Sequence, residues 1–351
     1  MQNSLLRKGL VVGIILLFVV TIVVPGISGS PINNEANNES NSLSSEWRYP
    51  PDIIVPDDYH TIQQAVDNAS QGFCIGVRNG TYNETILINK NDIILEGCLV
   101  EETIITGTQS NNTITIQAVN VTVADFSIVF NASAIEISGN YCKILNNNIN
   151  GYGEHDRSRF AIKVVNSKLV DICENKIYGE KNCMDGIHLQ DCYLTTISDN
   201  RIYSCSIGIN LVSSLYSNIF NNKITQNYIG IYLLFHRGAY IRFNEISNNS
   251  YGIQSDLSLP SLIWMNNIFN NTWSLSFLMS VGIIIKNNIV NENADELVRM
   301  TLGIFGLAIR NYWGENSTIL SPRYKCHPLF APIMFFPWRL NPISIPQTWP
   351  D

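Results

Sequence analysis

Apolar and polar residues alternate along short stretches of the chain, most clearly at residues 207–211 and 229–233. In Ile207-Gly208-Ile209-Asn210-Leu211, every second side chain is aliphatic. This spacing predicts strands with one buried face, because a helix would place its apolar residues three and four positions apart. No ten-residue window inside these stretches has helical spacing. The pattern therefore predicts an all-β protein built from short strands.

The stretches recur with a dominant period of 22 residues. Each one opens with an asparagine two positions before an aliphatic or aromatic residue, and Asp125 takes this role in the first stretch. The asparagine column that follows is Asn147, Asn175, Asn200, Asn222, Asn244, Asn266, Asn287 and Asn311. A second column always holds a small residue: Ala134, Ala161, Gly186, Gly208, Gly230, Gly252 and Ser274. Two columns that keep one register predict a solenoid.

The length of the repeat and its corner residues select the kind of solenoid. Helical repeats are excluded by the alternation, and the Leu-x-x-Leu-x-Leu frame of leucine-rich repeats is absent. Short strands with Asn and Gly corners predict a parallel β-helix with three strands per turn and about ten coils. Asparagine suits such corners because it tolerates a left-handed backbone, and stacked asparagines can hydrogen-bond along the axis.

Segments on either side of the repeats differ from them in pattern. Residues 61–69 predict a short amphipathic capping helix, with Thr61 as its N-cap and Ile62, Ala65 and Val66 on one face. We predict a signal peptide or membrane anchor at 1–30, a disordered linker at 31–50, the β-helix at 51–315 and a capping tail at 316–351.

The N-terminal segment predicts export. Arg7 and Lys8 precede an apolar run with no charge before Glu35, which is the layout of a secretory signal or of an uncleaved anchor. We expect an extracellular or cell-surface monomer that meets a membrane only through this segment. The net charge of −7 and the lack of Lys/Arg runs argue against a nucleic-acid partner.

Export would expose Asn-x-Ser/Thr triplets to glycosylation, although an asparagine-rich chain also produces such triplets by chance. The predicted sites are Asn79, Asn83, Asn111, Asn120, Asn131, Asn248, Asn270 and Asn316.

Two segments resemble a known family. "IIVPDDYHTIQQAVDNASQGFCIGVRNGTYNETILINKNDIILEG" at 53–97 looks like the opening of pectin-lyase-like right-handed β-helix proteins, and Asn311–Gly314 with Pro337-Trp338 resembles their close. The resemblance implies a single-stranded right-handed parallel β-helix. It does not imply one function, since the fold carries lyases, hydrolases, epimerases, adhesins and scaffolds. Similar proteins are described as carbohydrate-binding and sugar-hydrolysis domains, or as copper-accessory proteins of nitrous oxide reductase.

Catalytic motifs of that superfamily are largely missing. Polygalacturonase-like members pair carboxylates on neighbouring coils, and only Asp185-Gly186 resembles one of their motifs. If the chain is a polysaccharide lyase or hydrolase, Asp185 and His188 are the candidate acid/base residues, and calcium is a possible cofactor for a lyase. No metal site or other cofactor is evident. The five histidines are scattered, so a copper-accessory function rests on fold similarity alone.

Charge is concentrated at residues 154–191, which carry thirteen charged residues against eight in 192–290. Two positions beyond the small-residue column, an outward row of polar side chains is predicted: Glu136, Lys163, His188, Asn210, Tyr232, Gln254 and Ser276. Together they suggest a groove for a polysaccharide or cell-surface glycan. The candidate binding residues are Glu154, His155, Asp156, Arg157, Arg159, Lys163, Asn210 and Tyr232. The alternative is a charged, merely solvated surface.

Cysteine spacing suggests one disulfide. Cys183 and Cys205 are 22 residues apart and occupy equivalent places on adjacent coils, at a separation that a disulfide can span. Cys74 with Cys98 is a weaker pair, and buried free thiols are the alternative for all cysteines. Taken together, the sequence favours an exported carbohydrate-binding or scaffold protein without a clear active site.

Overall fold

The computed structural model describes residues 47–107, 112–130, 132–152, 159–180, 184–290, 298–301, 305–309, 311–312, 324–327 and 333–336. The chain divides into two units, Met1–Ser45 and Glu46–Asp351, and all described residues belong to the second. There the chain winds as a parallel solenoid of about ten turns with three sheets, as the sequence predicts. One short helix, α1 (Ile62–Asn68), precedes the regular coils.

Each turn contributes one strand to each sheet, so neighbouring strands in a sheet come from successive coils. The strands are numbered in chain order. Sheet A contains β1 (Ile53–Val55), β2 (Cys74–Val77), β5 (Ile94–Gly97), β8 (Thr122–Ala124), β11 (Lys143–Leu145), β14 (Asp171–Cys173), β17 (Thr196–Ser198), β20 (Asn218–Phe220), β23 (Tyr240–Arg242), β26 (Ser261–Trp264), β29 (Val281–Ile285), β32 (Phe305–Ile309) and β34 (Ile333–Phe336). Sheet B contains β3 (Gly80–Asn83), β6 (Thr103–Thr106), β9 (Ser127–Phe130), β12 (Asn148–Gly151), β15 (Lys176–Tyr178), β18 (Arg201–Tyr203), β21 (Lys223–Thr225), β24 (Glu245–Ser247), β27 (Asn267–Phe269) and β30 (Asn288–Val290). Sheet C contains β4 (Ile86–Ile88), β7 (Asn112–Ile116), β10 (Ser133–Ile137), β13 (Arg159–Val165), β16 (Met184–Gln190), β19 (Ile207–Val212), β22 (Ile229–Leu234), β25 (Tyr251–Asp256), β28 (Trp273–Leu278), β31 (Val298–Thr301) and β33 (Tyr324–His327).

The core is a set of aliphatic stacks inside the coil. One coil places Ile219 of sheet A, Ile224 of sheet B, and Ile231 with Leu233 of sheet C in its interior, and all four are fully buried. The register stacks Ile219 on Ile241 of the next coil, and the same holds around the turn. Burying each such side chain contributes about 2 kcal/mol, so the alternating pattern of the sequence is what holds the sheets together.

Helix α1 has the cap that the sequence predicts. The Thr61 hydroxyl oxygen accepts a hydrogen bond from the Gln64 N–H at 3.1 Å, and Ile62, Ala65 and Val66 are buried. The Glu84 carboxylate, which follows β3, adds a second cap by accepting the N–H groups of Ile62 and Gln63 at 3.0 Å each. These contacts satisfy N–H groups that a helix start leaves without partners.

Asparagines of the predicted column form a continuous ladder at the corner between sheets A and B. In each coil the amide oxygen accepts from the backbone N–H and side-chain NH₂ of the preceding coil's asparagine, as Asn244 does from Asn222 at 2.9 and 3.0 Å. The same bonding links every described member: Asn147, Asn175, Asn200, Asn222, Asn244, Asn266, Asn287 and Asn311. These hydrogen bonds make the ladder a structural element of the corner.

Two details of that prediction are wrong. Asp125 is not a ladder position, because the N–H of the next residue, Phe126, makes the bond to Asn147. Left-handed backbone also lies one residue before the ladder, at Asp125 (φ 63), Asn221 (φ 54) and Phe243 (φ 55). Ladder asparagines are therefore selected by buried hydrogen bonding and not by tolerance of a left-handed conformation.

A second asparagine ladder, which the sequence argument missed, lies at the corner that leads into sheet C. Asn227, Asn249 and Asn271 are 22 residues apart, and the Asn249 side-chain NH₂ donates to the Asn271 amide oxygen at 2.9 Å. Cys205 stands at the start of this column, where its N–H donates to the Asn227 amide oxygen.

Cys205 is a free, fully buried thiol, which corrects the predicted Cys183–Cys205 disulfide. Cys205 occupies a position of the second ladder. Its thiol lies 3.5 Å from the Tyr203 carbonyl oxygen. Burial raises the pKa of this thiol. Cys183 lies outside the described residues, and Cys74 and Cys98 are buried and are not joined in a disulfide.

Residues at both predicted boundaries join the coil. Arg48 and Tyr49, placed by the sequence at the end of the linker, donate their backbone N–H groups to the buried Glu96 carboxylate of β5. The Arg48 guanidinium also pairs with Asp125 at 3.2 Å. At the other end, β33 and β34 lie in the predicted tail 316–351 and pair in parallel with β31 and β32.

A third buried ladder lies between sheets C and A and contains one histidine. The His236 N–H donates to the Ser258 hydroxyl oxygen at 3.0 Å, and Ser258 donates its N–H to Ser280 in the same way. The imidazole is 1% exposed and lies 3.2 Å from the Ser217 hydroxyl. Burial lowers the pKa of His236 from 6.5 to about 3.

His236 should make the fold sensitive to acid. Because the folded pKa is lowered, the unfolded chain alone binds a proton below pH 6.5, so stability is lost as the pH falls from 6.5 towards about 3. We expect this residue to remove about 1.4 kcal/mol of unfolding free energy for each pH unit in that window. His236→Ser, which copies Ser214 and Ser258 of the same column, should remove this component in urea unfolding at pH 6.5 and 4.5.

The exposed His60 supplies the control. His60→Ser should retain the wild-type loss of stability between the two pH values. Equal pH slopes for His236→Ser and wild type would contradict the assignment.

Candidate functional site

Side chains on the outer face of sheet C form straight rows along the coil. The register pairs Lys163 with His188, His188 with Asn210, and Asn210 with Tyr232. Gln254, Ser276 and Arg299 continue the same row. Because adjacent strands lie about 4.8 Å apart, the row offers one outward side chain at each such step. The outward row that the sequence predicts is thus confirmed by the strand register.

A parallel row lies three residues earlier on the same strands. Its members are paired in order along the coil: Phe160, Asp185, Ile207, Ile229, Tyr251 and Trp273. This row is apolar and aromatic except at Asp185. We call the two rows together the sheet C face.

Asp185 and His188 are brought together at one end of this face. The Asp185 carboxylate is buried and accepts a hydrogen bond from the Asn210 side-chain NH₂ at 2.8 Å. His188 Nδ1 lies 3.5 Å from Asp185 Oδ2 without hydrogen-bond geometry, and its ring lies 4.8 Å from the Phe160 ring. Both His188 Nδ1 and the Asn210 amide oxygen are buried without a hydrogen-bond partner. The described residues thus leave hydrogen-bonding capacity of these two side chains unused at this end of the face.

The neighbouring cations are already engaged by protein groups. Lys163 Nζ lies 3.4 Å from Glu136 Oε1 and 5.5 Å from the centre of the Phe160 ring. The Arg159 guanidinium is buried and donates to the Tyr152 carbonyl oxygen at 2.7 Å. Arg159 therefore supports the fold at this point and is not part of the outward row.

Tyr232 forms a second polar cluster further along the face. Its hydroxyl donates to Asp256 Oδ2 at 3.0 Å, and the Gln254 side-chain NH₂ donates to the same oxygen at 2.8 Å. Burial raises the pKa of Tyr232, and the Asp256 carboxylate raises it further, so the phenol remains a proton donor. The cluster fixes the orientation of Tyr232 and Gln254 on the surface.

Aromatic rings dominate the far end of the face. Tyr251 and Trp273 stack at 4.6 Å, and Tyr228, which is half exposed, meets Tyr251 edge-on at 5.8 Å. The Arg299 guanidinium lies 5.8 Å from the centre of the Trp273 ring. Ring faces of this kind offer apolar surface with polar groups beside it.

The sequence argument missed Tyr251, Trp273 and Asp256. A usable signal was present, since Tyr251 and Trp273 each stand directly before the small-residue column and are 22 residues apart. Four predicted binding residues, Glu154, His155, Asp156 and Arg157, lie outside the described residues. The described glycosylation candidates are all exposed: Asn79, Asn83, Asn120, Asn248 and Asn270. Asn111, Asn131 and Asn316 lie outside the described residues, and glycosylation stays a prediction.

Asp185 and Asp256, two carboxylates of the face, are too far apart for paired acid/base hydrolysis. Asp185 of β16 and Asp256 of β25 are separated by three strand steps. Three steps correspond to roughly 14 Å. Inverting glycosidases place their two carboxyl groups about 6.5–9.5 Å apart, and retaining enzymes place them closer. These two residues therefore do not form such a pair.

A metal site needs several ligating side chains close together. Within the described ranges, no three His, Cys, Asp or Glu side chains come close enough together to hold a metal ion. Copper favours imidazole, thiolate and thioether ligands, but His236 is buried against Ser217 and His188 lies against Phe160. The residues that the structure describes do not fit a copper site, nor a cluster of carboxylates for calcium. In this part of the chain no helix is long and apolar enough to span a membrane.

Part of the chain matches a protein family in sequence. Residues 153–324 match the family described as "Periplasmic copper-binding protein (NosD)". This range contains the charged coils and most of the sheet C face. None of the curated proteins matches the chain in sequence.

Solved structures share the fold at low sequence identity. DFA-IIIase from Arthrobacter chlorophenolicus A6 without its lid, in complex with GF2, aligns with a TM-score of 0.64 and 12% identity over 84% of this chain and 93% of that one. The mannuronan C-5 epimerase AlgE6 A-module of Azotobacter vinelandii aligns at 0.53 and 13% over 82% and 95%. Dettilon tailspike protein (gp208) aligns at 0.57 and 13% over 71% of this chain, and only 57% of the tailspike is spanned.

Identities this low establish architecture and leave the chemistry open. The three parallel sheets and these alignments indicate the same fold, a parallel β-helix. The chain therefore folds as a parallel β-helix, and residues 153–324 of it match the NosD family.

Proposed function

We propose that the protein is an exported β-helix protein that binds an extended polysaccharide along the sheet C face. The observation that carries the proposal is the pair of parallel rows, one polar and one of aromatic and aliphatic residues except at Asp185, that run in register from Lys163 and Phe160 to Ser276 and Trp273. A polymer has repeating apolar faces and hydroxyls, and this surface repeats both kinds of partner along one axis.

Contacts within the rows support a binding role. Trp273 and Tyr251 provide ring faces, while Asn210 and Gln254 provide amides held in place by the Asp185 and Asp256 carboxylates. Side chains already fixed by neighbours lose less conformational entropy when a ligand binds. The NosD match, a family described as periplasmic, supports the exported location.

A second candidate is a polysaccharide-modifying enzyme that uses Asp185 and His188. The 3.5 Å approach of Asp185 Oδ2 to His188 Nδ1 favours it, because a carboxylate beside an imidazole is a common acid/base arrangement. The burial of Asp185, and its separation from Asp256 by three strand steps, favour binding over cleavage among the described residues.

Trp273→Ala should weaken retention of the full chain on neutral polysaccharides by about tenfold, because it removes the largest ring face of the row. Retention can be measured by affinity electrophoresis in gels that contain each polymer. Tyr178→Ala is the matched control, since Tyr178 also pairs with a ring, Tyr203 at 5.2 Å, but on the outer face of sheet B.

Equal retention of Trp273→Ala and wild type would contradict binding on this face. Release of reducing ends or unsaturated products, lost in Asp185→Ala or His188→Ala, would replace the binding proposal with the enzymatic one.

A further inference from the structure

A cluster of aromatic rings surrounds one arginine on the outer face of sheet A, away from the sheet C face. The Arg242 guanidinium carbon lies 4.7 Å from the ring centre of Phe220, 5.2 Å from that of Tyr240 and 5.5 Å from that of Phe243. Trp264 joins the cluster, nearly parallel to Tyr240 at 6.1 Å. We call these five residues the Arg242 patch.

The patch follows the axis of the coil. Phe220, Arg242 and Trp264 are register partners on β20, β23 and β26, so they stand one strand step apart on the same outward row. Asn218 and Tyr240 are likewise partners on the row beside it. All five patch residues are partly exposed. A ligand lying along the coil would contact the Phe220 ring, the Arg242 guanidinium and the Trp264 ring in that order.

Charge in the patch is not balanced by the protein. Among the described residues no carboxylate forms an ion pair with Arg242, whereas Lys223 on the adjoining sheet pairs with Glu245 at 3.0 Å. Arg242 Nε is a shielded donor without an acceptor, and the Asn218 amide oxygen is a shielded acceptor without a donor. Shielded polar atoms of this kind usually have partners, so hydrogen-bonding capacity in the patch is left unused by the described residues.

Arginine can use two surfaces at once. Its N–H bonds lie in the guanidinium plane, so rings can contact its faces while a carboxylate accepts hydrogen bonds at its edge. Aromatic rings attract the cation, and they also keep water from one side of it, which strengthens its attraction for an anion. A lysine in this place would lack the fork of donors that matches a carboxylate.

We propose that the Arg242 patch is a second ligand-binding surface, which takes a carboxylate-bearing sugar residue of an anionic glycan. The carboxylate pairs with the edge of the Arg242 guanidinium. The sugar ring packs its C–H face on Trp264 and Tyr240, whose rings are 23° from parallel. This surface is independent of the sheet C face.

Calorimetric titration of the full chain with oligogalacturonate tests the proposal. We expect binding that weakens as salt is added and that falls about tenfold or more in Arg242→Ala, since hydrogen bonds between charged groups are lost. Arg237→Ala, which removes the same charge from an exposed turn, should bind as wild type does. Arg242→Lys should remain weakened, because it restores the charge without the planar fork.

Further variants and a second ligand distinguish between the possible ligands of the Arg242 patch. Trp264→Leu tests the ring contact should Arg242→Ala fail to fold, and it should also weaken oligogalacturonate binding. No binding of oligogalacturonate, or equal affinities for Arg242→Ala and Arg237→Ala, would overturn the proposal. Arg242-dependent binding of polyglutamate at equal strength would overturn it in favour of an acidic peptide. Trp273→Ala should leave this affinity unchanged, so failure here and failure of the sheet C face are separable.

Discussion

Asn222→Ala should lower the free energy of unfolding by roughly 3–5 kcal/mol, because it removes a fully buried amide and leaves several of its partners without hydrogen bonds. The Asn222 side chain donates to the carbonyl oxygens of Ile197 and Phe220 at 2.9 and 3.0 Å. Its amide oxygen accepts the backbone N–H and the side-chain NH₂ of Asn200 at 3.0 Å each. The variant breaks the ladder at its middle, and chemical unfolding followed by circular dichroism measures the loss.

The residue next to it provides the matched control. Asn221 has a left-handed backbone (φ 54), and Asn221→Gly keeps that conformation available while the ladder stays intact. We expect a change within about 1 kcal/mol for this variant. If Asn221→Gly proved as damaging as Asn222→Ala, the corner would depend on its backbone conformation, and the account of the ladder given above would be wrong.

Gly230→Val should destabilise the protein by about 3 kcal/mol or more, since the small-residue column leaves no room for a branched side chain. A Cβ at Gly230 would stand 2.5 Å from the carbonyl oxygen of Gly252 on the next coil and 3.1 Å from Ile246 Cγ2. Relief of that contact requires two coils to separate, because the obstacle is backbone. The thermal midpoint should fall by several degrees.

A graded series tests this explanation. Gly230→Ala should cost less than Gly230→Val, while Ser276→Val, which places the same valine side chain on the outward row, should change the midpoint little. A midpoint for Gly230→Val close to that of Ser276→Val would show that the column is not restricted by the stacking of coils.

These predictions separate residues that stabilise the coil from outward residues that can bind a ligand. The repeated Asn and Gly positions serve the coil, so function has to be sought among outward residues that differ from coil to coil. Asn210, Tyr232 and Gln254 succeed one another on one row, and Phe220, Arg242 and Trp264 on another. Loss of function without loss of stability is therefore expected only for substitutions on such rows.

Much of the site was within reach of the sequence, because a fixed period converts position along the chain into position along the coil. The outward row from Glu136 to Ser276 follows from counting two residues past the small column, and the register confirms it. The same counting failed for Asp125, which lies one residue before the ladder. This one-residue error could not be recognised in the sequence, because Phe126 occupies the ladder position in that coil and no asparagine marks it.

The sequence by itself determined the parallel coil, its capping helix, its asparagine ladder and the polar row on sheet C, because each depends on local alternation and on a repeated spacing. Only the tertiary structure decided which side chains of neighbouring coils bond to one another. It placed Tyr232 on Asp256, left Cys205 as a buried thiol, and gathered Phe220, Tyr240, Phe243 and Trp264 around Arg242. Such contacts depend on side-chain direction and on bends at each corner, which a period in the sequence does not specify.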